Sequence, residues 1–259
     1  MKKRIIPSVL LSSGTNVSLS QQFSPWRTVG TLAQQLRLHV NRSCDELLII
    51  NLPCAGKKFI QSDRIFSLIR KEVDVPIAYA GGIMSVDDAS RCINSGFDKV
   101  YLTSTFLDNR ECLSRIVDVL GSQSVGVCLP YRYQATHQGK LQPYVWDFRC
   151  CRFVPDLSLE AAILDALIHK VGEVLLFNVD RDGSMNGLDS DVVQIIDRLS
   201  PSLPILLSGG ASSCSDFSKV LLNKNIQGVV ASSIFSLTQE TPATIRDYCE
   251  KQGIAMRRV

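Results

Sequence analysis

An aspartate at the end of an apolar run is the first place in this chain where chemistry is expected. Leu175 to Asp189 reads LLFNVDRDGSMNGLD: the stretch Val174–Val179 stops at Asp180 and gives way to a polar loop with Gly183 and Gly187. A short apolar run closed by turn residues reads as a strand buried on both faces. A carboxylate at the C-terminal end of such a strand can take or hold a proton, which makes Asp180 the candidate catalytic residue. The plainer reading is an aspartate that caps its own loop.

Two glycine pairs offer a second chemistry. Gly81-Gly82 and Gly209-Gly210 each follow an apolar run, while Ser104-Thr105 and Ser232-Ser233 follow the next run along. Glycines there let backbone N–H groups approach an anion, and an adjacent helix N-terminus adds its positive end. Together with Asp182 and Gly183 they make a phosphate-binding set, and two matched clusters suggest a ligand with a phosphate at each end. The alternative is that these glycines only make tight turns. A third pattern lies at the opposite ends of the runs, where Arg4, Glu46, Lys99 and Glu173 stand just ahead of apolar residues. Two bases and two acids there could close the axis of a barrel as a charged ring, although charges at strand starts are ordinarily just solvated.

The elements that must carry these residues alternate along the chain. Short apolar runs fall at Ile5–Leu11, Leu47–Leu52, Ile77–Ala80, Val100–Thr103, Val125–Leu129, Val174–Val179, Ile205–Leu207 and Val229–Ala231. Amphipathic helical patterns fall between them at Thr31–Asn41, Asp63–Val73, Val86–Asn94, Asn109–Leu120, Leu159–Val171, Val192–Leu199, Asp216–Leu222 and Thr244–Gln252. Eight alternations over 259 residues predict a single (β/α)8 TIM barrel, with a doubly wound open sheet as the runner-up.

The chain also repeats itself. PIAYAGGI from Pro76 matches PILLSGGA from Pro204 at a spacing of 128, and at that spacing Asp88 meets Asp216 and Ser104 meets Ser232. DELLIIN from Asp45 matches GEVLLFN from Gly172, offset by 127. A period of half the chain predicts one barrel domain over 1–259, built from half-barrels of about 1–120 and 121–259.

Composition excludes several classes. A net charge of +3, evenly spread, argues against nucleic acid or an acidic membrane as partner. Nine cysteines occur singly or as Cys150-Cys151, with no CxxC pair and only three histidines. That pattern reads as reduced intracellular thiols rather than a zinc site or a disulfide framework, and no metal or cofactor is expected. With no apolar run of about 18 residues and no signal-peptide core, a cytoplasmic location is the expectation. The stretch from Tyr131 to Cys151, rich in aromatic and basic residues, is either a lid over the pocket or a packed β-hairpin. His137, within it, reads as an exposed loop residue rather than a catalyst.

The stretches KRIIP (3–7), DELLIIN (45–51), PIAYAGGI (76–83), FDKVYLTST (97–105), GSQSVGV (121–127), VDRDGSMNG (179–187), LSGGASS (207–213) and VASSIF (230–235) together resemble the cyclase subunit of imidazole glycerol phosphate synthase. The resemblance runs from Lys3 to the C-terminus. It implies a lyase of histidine biosynthesis with a glutaminase partner on the bottom face of the barrel. Ammonia released there passes a four-residue charged gate and travels up the barrel. The gate positions fall on Arg4, Glu46, Lys99 and Glu173, so the resemblance turns the charged ring into an ammonia gate, and Asp98 matches a residue of the partner interface.

At the top face the resemblance breaks. The two aspartates that serve as acid and base in the family fall here on Leu10 and Pro130, and a third family aspartate is Asn51. Neither leucine nor proline exchanges a proton, and losing such a group removes roughly 10²–10⁴-fold in rate. Ser12, Asn51, Asn178, Asp180, Tyr131 and Arg132 are polar substitutes. With leucine at the first position the chain resembles cyclase-like proteins that deliver ammonia for sugar amidation in surface-polysaccharide (lipopolysaccharide) synthesis, beside a separate sugar amidotransferase. Two alternatives stay open: an authentic histidine-pathway cyclase using Asp180, and a non-catalytic scaffold that binds a partner and a phosphorylated metabolite.

Overall fold

The structure, a computed structural model, describes residues 2–52, 61–136 and 139–258. In chain order its strands are β1 (Arg4–Ser13), β2 (Asn16–Gln21), β3 (Ser24–Thr31), β4 (Leu47–Asn51), β5 (Ile77–Ala80), β6 (Lys99–Leu102), β7 (Val125–Ala135), β8 (Leu141–Asp147), β9 (Arg152–Ser158), β10 (Glu173–Asn178), β11 (Ile205–Ser208) and β12 (Ile226–Ala231). Eight of them, β1, β4–β7 and β10–β12, are parallel. β1 lies between β12 and β4, and the pairing of β7 with β10 closes the ring. The chain is therefore a (β/α)8 barrel, and each of the eight apolar runs in the sequence falls on one of its strands.

Period-2 alternation sorts these strands' side chains into two cores. Ile5, Val9, Leu47, Ile49, Ile77, Tyr79 and Val100 face out and pack under the helices. Ile6, Leu48, Ala78, Tyr101, Cys128, Leu175, Leu206 and Val230 face in and fill the barrel. Because both faces are buried, the strands read as continuous apolar runs rather than alternating ones.

The helices are α1 (Leu32–Asn41), α2 (Asp63–Glu72), α3 (Val86–Asn94), α4 (Ser104–Asp108), α5 (Arg110–Leu120), α6 (Leu159–Ile168), α7 (Asp191–Leu199), α8 (Cys214–Leu221), α9 (Ser233–Leu237) and α10 (Pro242–Lys251). Among the described residues no helix is long and apolar enough to cross a membrane. The repeated aspartates do the same job at α3 and α8. Asp88 accepts from the Met84 amide and the Ser85 hydroxyl, and Asp216 accepts from the amides of Ser212 and Ser213. Caps of this kind contribute about 1 kcal/mol each. The repeated glycines are also equivalent. A Cβ on Gly81 would stand 2.7 Å from the Asn51 carbonyl oxygen, and one on Gly209 would stand 2.5 Å from that of Asn178. Both have positive φ, so each turn needs glycine for space and for conformation.

Two features go beyond the sequence reading, and a third is one of the two alternatives it offered. β1 runs on past Leu11 and doubles back as the antiparallel pair β2–β3, whose tip carries Phe23. The stretch after Tyr131 is a hairpin: β7 pairs with β8 from Tyr131↔Val145 to Ala135↔Leu141, and β9 pairs back on β8. His137 lies outside the described residues. Helices α4 and α9 are too short to show a period in sequence, and they follow β6 and β12 at equivalent places.

Candidate functional site

At the N-terminal ends of the strands, Arg4, Glu46, Lys99 and Glu173 are linked by contact. The Arg4 guanidinium donates to Glu46 Oε2 at 2.9 Å and to Glu173 Oε2 at 2.6 Å. Glu173 Oε1 takes the Lys99 ammonium and the Tyr101 hydroxyl. The side chains of Arg4, Glu46 and Glu173 are at most 10% exposed, so the charges are inside the barrel's lower end and not out in solvent. Burial pushes the Glu173 carboxyl up, but Arg4, Lys99 and the bonds from Lys99 and Tyr101 outweigh it and hold it below its usual range. Glu173 is thus an anion at neutral pH. Below the layer, Asp98 is exposed and its carboxylate accepts from the Ile77 amide at 2.8 Å.

Among the described residues, one cavity beside β7 and β8 is lined by Asn178, Asp180, Arg181 and Asp189, and two further cavities lie over the C-terminal ends of the strands. One, with about 90 Å³ of water-accessible space, lies over β4–β6 and contains Gly81, Gly82 and Ser104 among walls such as Leu48, Ile83, Met84 and Leu175. The other is smaller and serine-rich, with Gly183, Gly209, Gly210, Ser232 and Ser233 beside Ser8 and Leu10. Ile50, Phe177 and Val230 line both and so stand between them. The two glycine clusters therefore open onto adjoining cavities, and a single ligand with a phosphate at each end would reach from one to the other past Ile50, Phe177 and Val230. Thr105, grouped with them in the sequence, is buried and donates to the Ile83 carbonyl at 2.6 Å, which fixes the Gly81–Ile83 turn.

An aromatic roof that the sequence reading missed covers the chamber over β4–β6. Phe23 stacks on Phe148 with ring centroids 5.0 Å apart and meets Phe177 at 4.4 Å. Phe23 is held by Asp182, which accepts from the Phe23 amide and the Ser20 hydroxyl at 3.1 Å each. Burial raises the Asp182 carboxyl above its usual range. Phe148 is held by the neighbouring Arg149, which bridges Asp108 and Asp147. Nothing local in the sequence marks this stack, because its rings come from three separate strand ends.

The polar substitutes are largely engaged. Asp180 is exposed and paired with Arg132 at 2.6 Å, and the Arg132 guanidinium lies 4.6 Å from the Trp146 ring centroid. Asn51 bonds Tyr79 and Gln61. Asn178, Tyr131 and Tyr133 all donate to the buried Asp189, at 2.7, 2.7 and 3.0 Å. Ser12 bonds Ser18 at 2.8 Å. Leu10 is 3% exposed and lines the serine-rich chamber. Pro130 sits two residues above Cys128 on the inward face of β7. No side chain at either place exchanges a proton.

A closed parallel barrel with glycine turns at its C-terminal mouth and a layer of ion-paired charges at its other end defines the class: a (β/α)8 barrel protein. Residues 4–241 match the family described as "Histidine biosynthesis protein", and the chain belongs to that family as a HisF-like member. It is 26% identical over 257 residues to the imidazole glycerol phosphate synthase subunit HisF of Natranaerobius thermophilus, covering 99% of each chain. To the subunit of the same name from Streptococcus mutans it is 26% identical over 259 residues, covering 99% of this chain and 100% of that one. To a provisionally named subunit hisF2 of Campylobacter jejuni it is 28% identical over 261 residues, covering 99% of each.

Proposed function

We propose that this chain is an ammonia-conducting barrel, a diverged relative of the cyclase subunit that takes ammonia from a glutaminase on its lower face. The observation that carries the reading is the ion-paired chain Glu46–Arg4–Glu173–Lys99 across the lower axis, buried at its first three members. Opposite charges fixed at hydrogen-bond distance neutralise one another, so the layer holds together without water. Rearranging one link admits a small polar molecule that can replace the lost hydrogen bond. Above the layer the interior is apolar, which excludes water and suits neutral ammonia better than ammonium. Asp98, exposed beside the layer, is the proposed contact with the partner.

Cyclisation is not the proposed activity. It needs an acid and a base facing one reacting centre, and Leu10 and Pro130 supply neither. Asp180, on which a histidine-pathway cyclase would then depend, is held by Arg132. The glycine turns with Ser104, Gly183, Ser232 and Ser233 remain the proposed anion sites, with Asp182 keeping the roof in position. The acceptor proposed is a sugar of surface-polysaccharide synthesis, worked on by a separate amidotransferase at the top face. We place the protein in the cytoplasm, a setting consistent with its free cysteines, and propose one domain made of two half-barrels.

The test has two arms. The chain should form a complex with a glutaminase encoded beside its gene and raise its glutamine hydrolysis, yet fail to restore growth of a histidine auxotroph lacking the cyclase subunit. Restored growth would return it to the histidine pathway. No complex with a glutaminase would leave a metabolite-binding scaffold.

A further inference from the structure

Strand register decides what lies between the charged layer and the upper chamber. Tyr101 of β6 stands opposite Gly126 of β7, and Gly126 stands opposite Glu173 of β10. The three form one row across neighbouring strands, and only the outer two carry side chains. The Tyr101 ring lies over Gly126 so closely that a Cβ there would come within 2.6 Å of a ring carbon. The phenol thereby reaches past β7 and donates to Glu173 Oε1, the oxygen that also receives Lys99. The same ring, 2% exposed, lines the upper chamber beside Leu48, Cys128, Leu175 and Val230. Tyr101 touches the charged layer below and the empty space above.

We infer that Tyr101 is a latch on the axial passage: bonded to Glu173 its ring lies across the way, and swung into the chamber it lets ammonia through. This rests on the conduit reading. The geometry makes opening cheap. When the phenol leaves, Glu173 keeps Lys99 on one oxygen and Arg4 on the other, so no buried charge is left alone. The departing hydroxyl enters a chamber that contains Thr103 and Ser104, side chains whose hydroxyls can accept it. Burial and the nearby Glu173 push the phenol's pKa well up, so it remains a donor at any physiological pH. A charged layer alone would answer to Lys99 and Arg4, whereas a latch must also answer to the hydroxyl and to the space over Gly126.

The chain with ring-13C tyrosine, measured by relaxation dispersion, tests the latch without any partner. Tyr101 should exchange on the microsecond–millisecond scale between two states. Glu173→Gln weakens the acceptor and should raise the minor population several-fold. Gly126→Ala puts a methyl where the ring lies, so the Tyr101 resonance should move to the shift of the former minor state. A Tyr101 signal without exchange in both wild type and Glu173→Gln overturns the latch, as does an unmoved resonance in folded Gly126→Ala. If Gly126→Ala does not fold, the Glu173→Gln result decides. A rigid ring in a protein whose bound glutaminase responds to Lys99→Ala sinks the latch alone. A moving ring with a glutaminase indifferent to Lys99→Ala sinks the conduit reading.

Discussion

Glu173 is the residue on which the lower layer turns, because both its oxygens are used and three donors converge on it. Arg4 is its complement, the one cation among the described residues that reaches both acids at under 3 Å. Arg4→Ala would leave Glu46 without that partner in a buried site and should cost about 3–5 kcal/mol in a denaturant melt. Lys99→Ala should cost much less, since Arg4 and Tyr101 still satisfy Glu173. A stability loss for Lys99→Ala as large as that for Arg4→Ala would contradict this division of roles. At the top face, Leu10→Asp with Pro130→Asp restores two carboxylates at inward positions. It should raise any residual cyclase rate by roughly tenfold or more if missing proton transfer is the main defect. No gain would place the defect elsewhere, the aromatic roof being the next suspect.

Among the elements, the β2–β3 excursion is the clearest departure from a plain barrel, and one carboxylate positions its tip. Asp182→Ala removes the acceptor for the Phe23 amide and the Ser20 hydroxyl, so it should cost about 1–3 kcal/mol and loosen the roof. Faster quenching of Phe23-position fluorescence in a Phe23→Trp background would report that loosening, and unchanged quenching would argue against the anchor. Helix α1 carries a pH dependence. His39 is 3% exposed, its Nδ1 has no hydrogen-bond partner among the described residues, and burial followed by Arg42 lowers its pKa to about 4. Between that value and the ordinary 6.5 the unfolded chain binds the proton and the folded chain does not. Stability should therefore be full above pH 6.5 and decline as pH falls toward 4, by about 3 kcal/mol at most. His39→Leu should flatten that part of the stability–pH curve; an unaltered slope would assign it to other groups.

For the molecule as a whole, the barrel was legible because each of its strands is a short apolar run closed by turn residues, and buried parallel strands have that pattern. The half-chain repeat pairs Asp88 with Asp216 and Gly81 with Gly209, since capping and close approach are local demands. The positions of Arg4, Glu46, Lys99 and Glu173 were also visible. Their contacts were not, because those depend on which strands lie side by side. Tyr101 carried an unused signal: two residues after Lys99 on one strand, it shares the inward face. The roof of Phe23, Phe148 and Phe177 had no such signal, since Phe23 lies more than a hundred positions from the other two rings.

The layer at the bottom and the cavities at the top lie at opposite ends of the barrel interior, and the proposed conduit requires nitrogen to travel between them. The most direct measurement is steady-state glutamine turnover by the complex of this chain with its glutaminase, comparing wild type with Lys99→Ala. An ammonia conduit predicts that kcat changes by roughly threefold or more while KM for glutamine stays the same, since the charged layer governs ammonia's departure and not glutamine's binding. Equal kcat values in the two complexes would contradict it.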